Sequence, residues 1–290
     1  MKKKVTKHVV GDIYTEIDKW AYEMDLIRDP VFIDGIIFSN DGSKGRDPLF
    51  DASKNGTGYI FAYWKDEKKG ILEISAPEPG FEIRAPKNMR YYFSNRSSYR
   101  KSCASSISYL DVSHLDVSKT TEFNNCFYRF GSRTSSKIVG LENWNISSSN
   151  DFKEMFHMAF LNNDTVSLDL SSWKFSADKN VFISDFFREF APAASKVELN
   201  LSWDTSSFVY PNSVFDGFAP RATNVKLIGV EDWNMKNAKS FNAMFKNFAP
   251  NSNCKLDLTG WSKGCSLIGA HHKFADGSFF RIKEPVWENY

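Results

Sequence analysis

The apolar positions of the chain fall into a recurring phrase of about six residues. Leu168-Asp169-Leu170-Ser171-Ser172-Trp173 returns as Leu256-Asp257-Leu258-Thr259-Gly260-Trp261 and, one residue shorter, as Leu199-Asn200-Leu201-Ser202-Trp203. Looser copies run from Val139 to Trp144 and from Ile228 to Trp233, and Leu110 to Leu115 carries Leu in the Trp slot. That slot is filled by residues 115, 144, 173, 203, 233 and 261, at intervals of 29, 29, 30, 30 and 28. Apolar residues alternate with polar ones inside the phrase, so each copy predicts a short strand with one buried face.

A second apolar motif keeps the same period. It reads Cys126-Phe127, Met155-Phe156, Phe186-Phe187, Val214-Phe215 and Met244-Phe245, and three copies run on into Ala191-Pro192, Ala219-Pro220 and Ala249-Pro250. Two motifs on one period mark a tandem repeat. Phe241, Met244, Phe245 and Phe248 are spaced i, i+3, i+4, i+7, which predicts a short helix ended by Pro250. Ser240, or Asn150-Asp151 before Phe152, suits its N-cap. The repeat therefore reads strand, turn, short helix, return loop. A unit this small cannot bury its own Leu and Phe, so stacked units are expected to share one core, Trp over Trp and Phe over Phe.

The L-D-L-S-x-W phrase followed by a Met-Phe segment resembles the BspA-like, mycoplasma lipoprotein-associated class of leucine-rich repeats. The resemblance covers about residues 105–275, with Ile83 to Phe93 as a lead-in. The Asp-Thr-Ser common after the family's Trp occurs only at Asp204-Thr205-Ser206, and the Phe-Ala-Pro return loops lengthen the unit. The resemblance implies a surface or adhesion role and no catalytic residues. The expected fold is an α/β repeat solenoid, leucine-rich-repeat-like, with one short strand and one short helix in each of about six repeats. Residues 1–100 are expected to form an N-terminal capping or attachment region, 101–275 the repeats, and 276–290 a C-terminal cap, where Phe279, Phe280, Ile282, Val286 and Trp287 close the core.

Within the N-terminal region, Gly11-Asp12 starts a helix carrying Ile13, Ile17, Trp20, Ala21, Met24 and Ile27 at helical spacing and ending before Pro30. Its acids, Asp12, Glu16, Asp18, Glu23 and Asp25, suit docking on protein better than on a membrane surface. Residues 31–38 read as a strand. Residues 59–64 and 71–75, joined by Asp66-Glu67-Lys68-Lys69-Gly70, read as a hairpin.

Composition narrows the function. Among 290 residues, 26 are Phe and 16% are aromatic, ample for a core. A net charge of +2 from 37 basic and 35 acidic side chains argues against a non-specific nucleic-acid binder. No apolar run reaches membrane-spanning length, so no membrane insertion is expected. Met1-Lys2-Lys3-Lys4 leads into no apolar stretch and no Cys lies near the start, so a virion or cytoplasmic location is favoured over classical secretion. Cys103, Cys126, Cys254 and Cys265 form no Cys-x-x-Cys pair and read as free thiols, although Cys254 and Cys265 could pair.

Candidate chemistry is sparse. Gly42 to Asp47 lacks the phosphate-loop pattern, and His271-His272 with Asp276 reads as surface residues rather than a metal site. No catalytic set and no cofactor are expected. The Trp slots read as core, because indoles bury large apolar area, although exposed indoles would suit sugar rings. The slot between the strand apolars holds Asp111, Gly140, Asp169, Asn200, Gly229 and Asp257, flanked by Tyr109, Ser167 and Glu198. These point away from the core. They are expected to line up as a polar stripe with notches at the two glycines, either a binding face or simply a solvated one. The leading reading is a non-enzymatic recognition or adhesion module for a protein or cell-surface glycan, on a cell or as a phage virion component. An intracellular protein-binding scaffold is the alternative, and a carbohydrate-active enzyme the weakest.

Overall fold

The computed structural model describes residues 7–24, 33–95, 107–131, 133, 135–261, 272–278 and 281–285. Asp25, Ile27, Cys103, Cys265, His271, Phe279, Phe280, Val286 and Trp287 lie outside them.

The alternating phrases do form strands, and those that share a sheet pair in parallel. Thr165–Asp169, Lys196–Asn200 and Asn224–Ile228 make a three-stranded sheet in which Leu168, Leu199 and Leu227 stand side by side. Tyr109–Asp111 pairs with Lys137–Val139 on one side and Gly35–Phe38 on the other. That second sheet runs on through the antiparallel hairpin of Phe61–Asp66 and Ile71–Ser75 to Phe50–Asp51, six strands in all. Leu256–Asp257 and Ile282–Lys283 form a separate pair.

The core is aromatic and layered. Trp144, Trp173, Trp203, Trp233 and Trp261 are all buried and stack in sequence, with ring centroids 6.5, 6.4, 5.6 and 6.2 Å apart and planes within 14°. Each of the last four indoles donates Nε1–H to a backbone carbonyl of the preceding copy: Trp173 to Leu141, Trp203 to Leu170, Trp233 to Leu201, Trp261 to Val230. The Trp slots are thus core, with the polar edge of those four rings satisfied and only Trp144 Nε1 of the five buried without a hydrogen-bond partner among the described residues. Phe93, Phe127, Phe156, Phe187, Phe215 and Phe245 form a second stack, with centroids 5.0–5.8 Å apart.

The expected α/β solenoid with a helix in every repeat is overturned. Among the described residues there is one α-helix, Ile13–Glu23, and the strands fall into several small sheets. The segment read as a helix is a run of β-turns. Ala243 and Asn247 adopt left-handed backbone, as do Asn125 and Arg129, Asp185 and Glu189, and Ser213 and Gly217 in other copies. Alternate amides then point in opposite directions. Met244, Lys246 and Phe248 donate back to Phe241, Ala243 and Phe245 within the turns. Ala243, Phe245 and Asn247 donate forward to His272, Phe274 and Asp276 of the next copy. An eight-residue helix would be too short to be stable and would turn all its amides inward. The turn run gives half of them to the neighbouring repeat, so sheet and turn both tie one copy to the next.

The N-terminal helix starts where the sequence indicates. Asp12 caps it by accepting the Thr15 amide, and Ile13, Ile17, Trp20 and Ala21 are buried. Trp20 packs on Phe50 and Trp64, and Tyr14 on Phe93. Its apolar face therefore covers the hairpin and the first Phe of the stack.

Candidate binding face

Strand alternation sends Ser167 and Asp169 outward from the three-stranded sheet while Val166, Leu168 and Leu170 go inward. Across the sheet, Ser167, Glu198 and Lys226 share one row, and Asp169, Asn200 and Ile228 the next. Lys226 Nζ lies 2.9 Å from Glu198 Oε1. That bond, with the ammonium's charge, holds the Glu198 carboxyl below its usual range.

The other predicted residues sit on different sheets. Tyr109 and Asp111 flank Lys137 and Val139 on the six-stranded sheet. Burial, and next the Asp111 carboxylate, raise the Tyr109 hydroxyl's pKa. Asp257 lies on the two-stranded sheet, its Oδ2 2.8 Å from Lys283 Nζ. Bonds from Lys283 and then Thr259 hold its carboxyl down at about 2. The seven residues therefore form three polar patches, not one unbroken stripe. Lys137, Lys226 and Lys283 complete those patches, so the face carries both signs of charge.

The expected notches are corrected by the register. Val139, not Gly140, stands beside Asp111, and Ile228, not Gly229, beside Asn200. Each glycine is an extra residue between strand and turn, with φ of 91° and 85°, opening a short 3-10 turn. A Cβ on Gly140 would lie 2.3 Å from the Ser113 amide nitrogen, and one on Gly229 2.5 Å from Ser202 Cα. The space a ligand was expected to enter is filled by the preceding copy's turn.

The breaks between sheets follow these same two copies. Past Gly140, strand Lys137–Val139 does not pair with Thr165–Asp169. A groove lined by Lys137, Asn163, Asp164, Thr165 and Ser167 lies between them. Buried Asn163 bridges it, donating to Ser136 O at 2.8 Å and accepting from Ser136 N at 3.3 Å. Past Gly229, the Asp257 amide donates to Glu231 Oε1 at 2.6 Å in place of a strand partner. The sequence shows these glycines but not that each inserts one residue.

The Asp residues of the slot have a local role as well. Asp111, Asp169 and Asp257 each accept the amide two residues on, from Ser113, Ser171 and Thr259, at 3.0–3.1 Å. At Asp169 these bonds from Ser171 lower the carboxyl's pKa. Asp204 and Asn145 make the same turn elsewhere. Glu198 makes no such turn, and its half-buried carboxylate pairs across the sheet with Lys226.

Among the described residues no helix is long and apolar enough to cross a membrane. A family model described as a Mycoplasma protein of unknown function, DUF285, matches residues 87–217 and 186–277. No curated protein and no solved structure matches the chain. The family matches cover well over half of the 290 residues, so the chain belongs to that family.

Proposed function

Starting from that family membership, we propose that the protein is a non-enzymatic recognition module that attaches to a protein or glycan on another surface. The observation that carries this reading is the mixed-charge face at Ser167, Glu198 and Lys226. Its side chains are held outward in register by a sheet whose opposite side is anchored in stacked aromatics. A rigid scaffold that presents polar groups at fixed spacing suits recognition, because little order is lost on binding. The likeness of the Leu-Asp-Leu-Ser-Ser-Trp phrase to BspA-like repeats supports a surface role in particular. Tyr109, Asp111, Asp169, Asn200 and Asp257 extend the candidate contact area beyond the central row.

The test neutralises the face without disturbing its turns. Asp169→Asn keeps the turn acceptor and removes the charge, and Glu198→Gln touches no turn. The double variant is expected to keep its fold and lose attachment to intact cells. Attachment equal to wild type by a folded variant would count against the face.

A further inference from the structure

A second surface gathers more positive charge than its acids match. Val9, Ala85, Lys54, Arg84, Lys87, Lys119, Thr121, Ser148 and Lys179 line a groove of about 630 Å3. Backbone pairing builds it. The Lys54 amide donates to Val9 O, and the Thr121 amide to Lys87 O, which brings Lys54, Lys87 and Lys119 to one groove from three distant parts of the chain. Ser148 Oγ donates to Ser118 O, and Lys179 Nζ to Ser148 O at 2.8 Å, extending the row into two further copies. Arg84 is held by Asp116 at 3.4 Å. Lys54, Lys87 and Lys119 are exposed, and none makes an ion pair among the described residues. The whole chain has a net charge of only +2, so this local excess is a feature of the groove.

We propose that this groove binds a linear acidic polysaccharide, its carboxylates or sulfates on the lysine row and its sugar hydroxyls on Thr121, Ser148 and the adjoining carbonyls. Cations contributed by several copies to one groove, at Lys87, Lys119 and Lys179, suit a polyanion that runs along the copies. Among the described residues no aromatic ring lines the groove to stack a base, which sets it apart from single-stranded nucleic-acid channels. The site is separate from the strand face and stands or falls independently of it.

The test uses the full chain at low ionic strength, titrated with polygalacturonate, dextran sulfate, neutral dextran and single-stranded DNA of similar length. Wild type is expected to bind one or both acidic polysaccharides, and which of the two identifies the anion. Lys54→Ala/Lys87→Ala/Lys119→Ala, with an unchanged melting temperature, is expected to weaken that binding at least tenfold. It should also lower the slope of log affinity against log salt by about one per lysine removed. Lys68→Ala/Lys236→Ala/Lys239→Ala makes the same charge change elsewhere and is expected to cost much less. The proposal is overturned by binding no stronger than to neutral dextran, by tighter binding to DNA, or by equal losses in the two triple variants.

Discussion

Trp203 offers the sharpest test of the layered core. It lies between Trp173 and Trp233, with centroids 6.4 and 5.6 Å away, and meets Phe175, Phe186 and Phe208 edge-on. Its Nε1–H donates to Leu170 O at 2.7 Å, and it is 6% exposed. A buried Trp withdraws roughly 150–250 Å2 from water, worth about 4–6 kcal/mol at about 25 cal/mol per Å2, an upper bound. Measured truncations of large core aromatics cost about 3–5 kcal/mol. The indole bond adds about 1 kcal/mol. Leu170 O keeps the Trp173 amide as a donor, so it is not orphaned. Trp203→Ala is therefore expected to cost about 4–5 kcal/mol, and Trp203→Phe, which keeps a ring but loses the N–H, about 1–3 kcal/mol. Urea denaturation gives the totals. Hydrogen exchange should place the largest loss of protection in strands Thr165–Asp169, Lys196–Asn200 and Asn224–Ile228. A cost below about 1.5 kcal/mol for the alanine variant, or exchange unchanged in those strands, would refute the stacked-indole account.

Three further outcomes follow from the geometry. Gly229→Ala is expected to cost more than 3 kcal/mol in denaturation. Left-handed alanine costs roughly 1–2 kcal/mol and the new Cβ strikes Ser202 backbone, whereas Gly45→Ala, at φ 81° with open space around it, should cost only the first part. The Asp257 carboxyl is expected to titrate near 2 by NMR and to move up toward the ordinary Asp value of about 3.9 in Lys283→Ala, so its charge is present above that range and lost only as pH falls toward 2. Burial pushes the Cys254 thiol up to about 11 and the Cys126 thiol higher still. Mass-spectrometric mapping after alkylation at neutral pH should therefore find both unmodified until the protein is unfolded.

Much of this was legible in the sequence, for identifiable reasons. Period-two alternation at Val166, Leu168 and Leu170 needs only a strand with one wet face, and the sheet supplies it. The Trp slot was legible because one bulky residue per copy must sit at one level of the stack. The helix reading failed because Phe241, Met244, Phe245 and Phe248 satisfy two geometries. Turns of four residues also bring i, i+4 and i+7 to one side. The residues that decide between them are those at positive φ, and Glu154, Glu189 and Ala243 there give no turn signal. Asn125, Asp185, Ser213 and Gly217 in the matching places do give one, visible only when copies are compared. The polar stripe was misread for a different reason. Counting back from Trp233 puts Gly229 in the Asp169 slot, whereas hydrogen-bond register counts from the strand and puts Ile228 there.

The recognition face is tested most directly by attachment of fluorescent beads coated with wild type, Asp169→Asn/Glu198→Gln, or Glu198→Lys/Lys226→Glu to intact cells. The last variant swaps the two charges and preserves the ion pair's sum, so a face that reads charge position should fail while the fold survives. The account predicts attachment for wild type, loss of at least tenfold in both variants, and melting temperatures within a few degrees of one another. Undiminished attachment by both folded variants would contradict it.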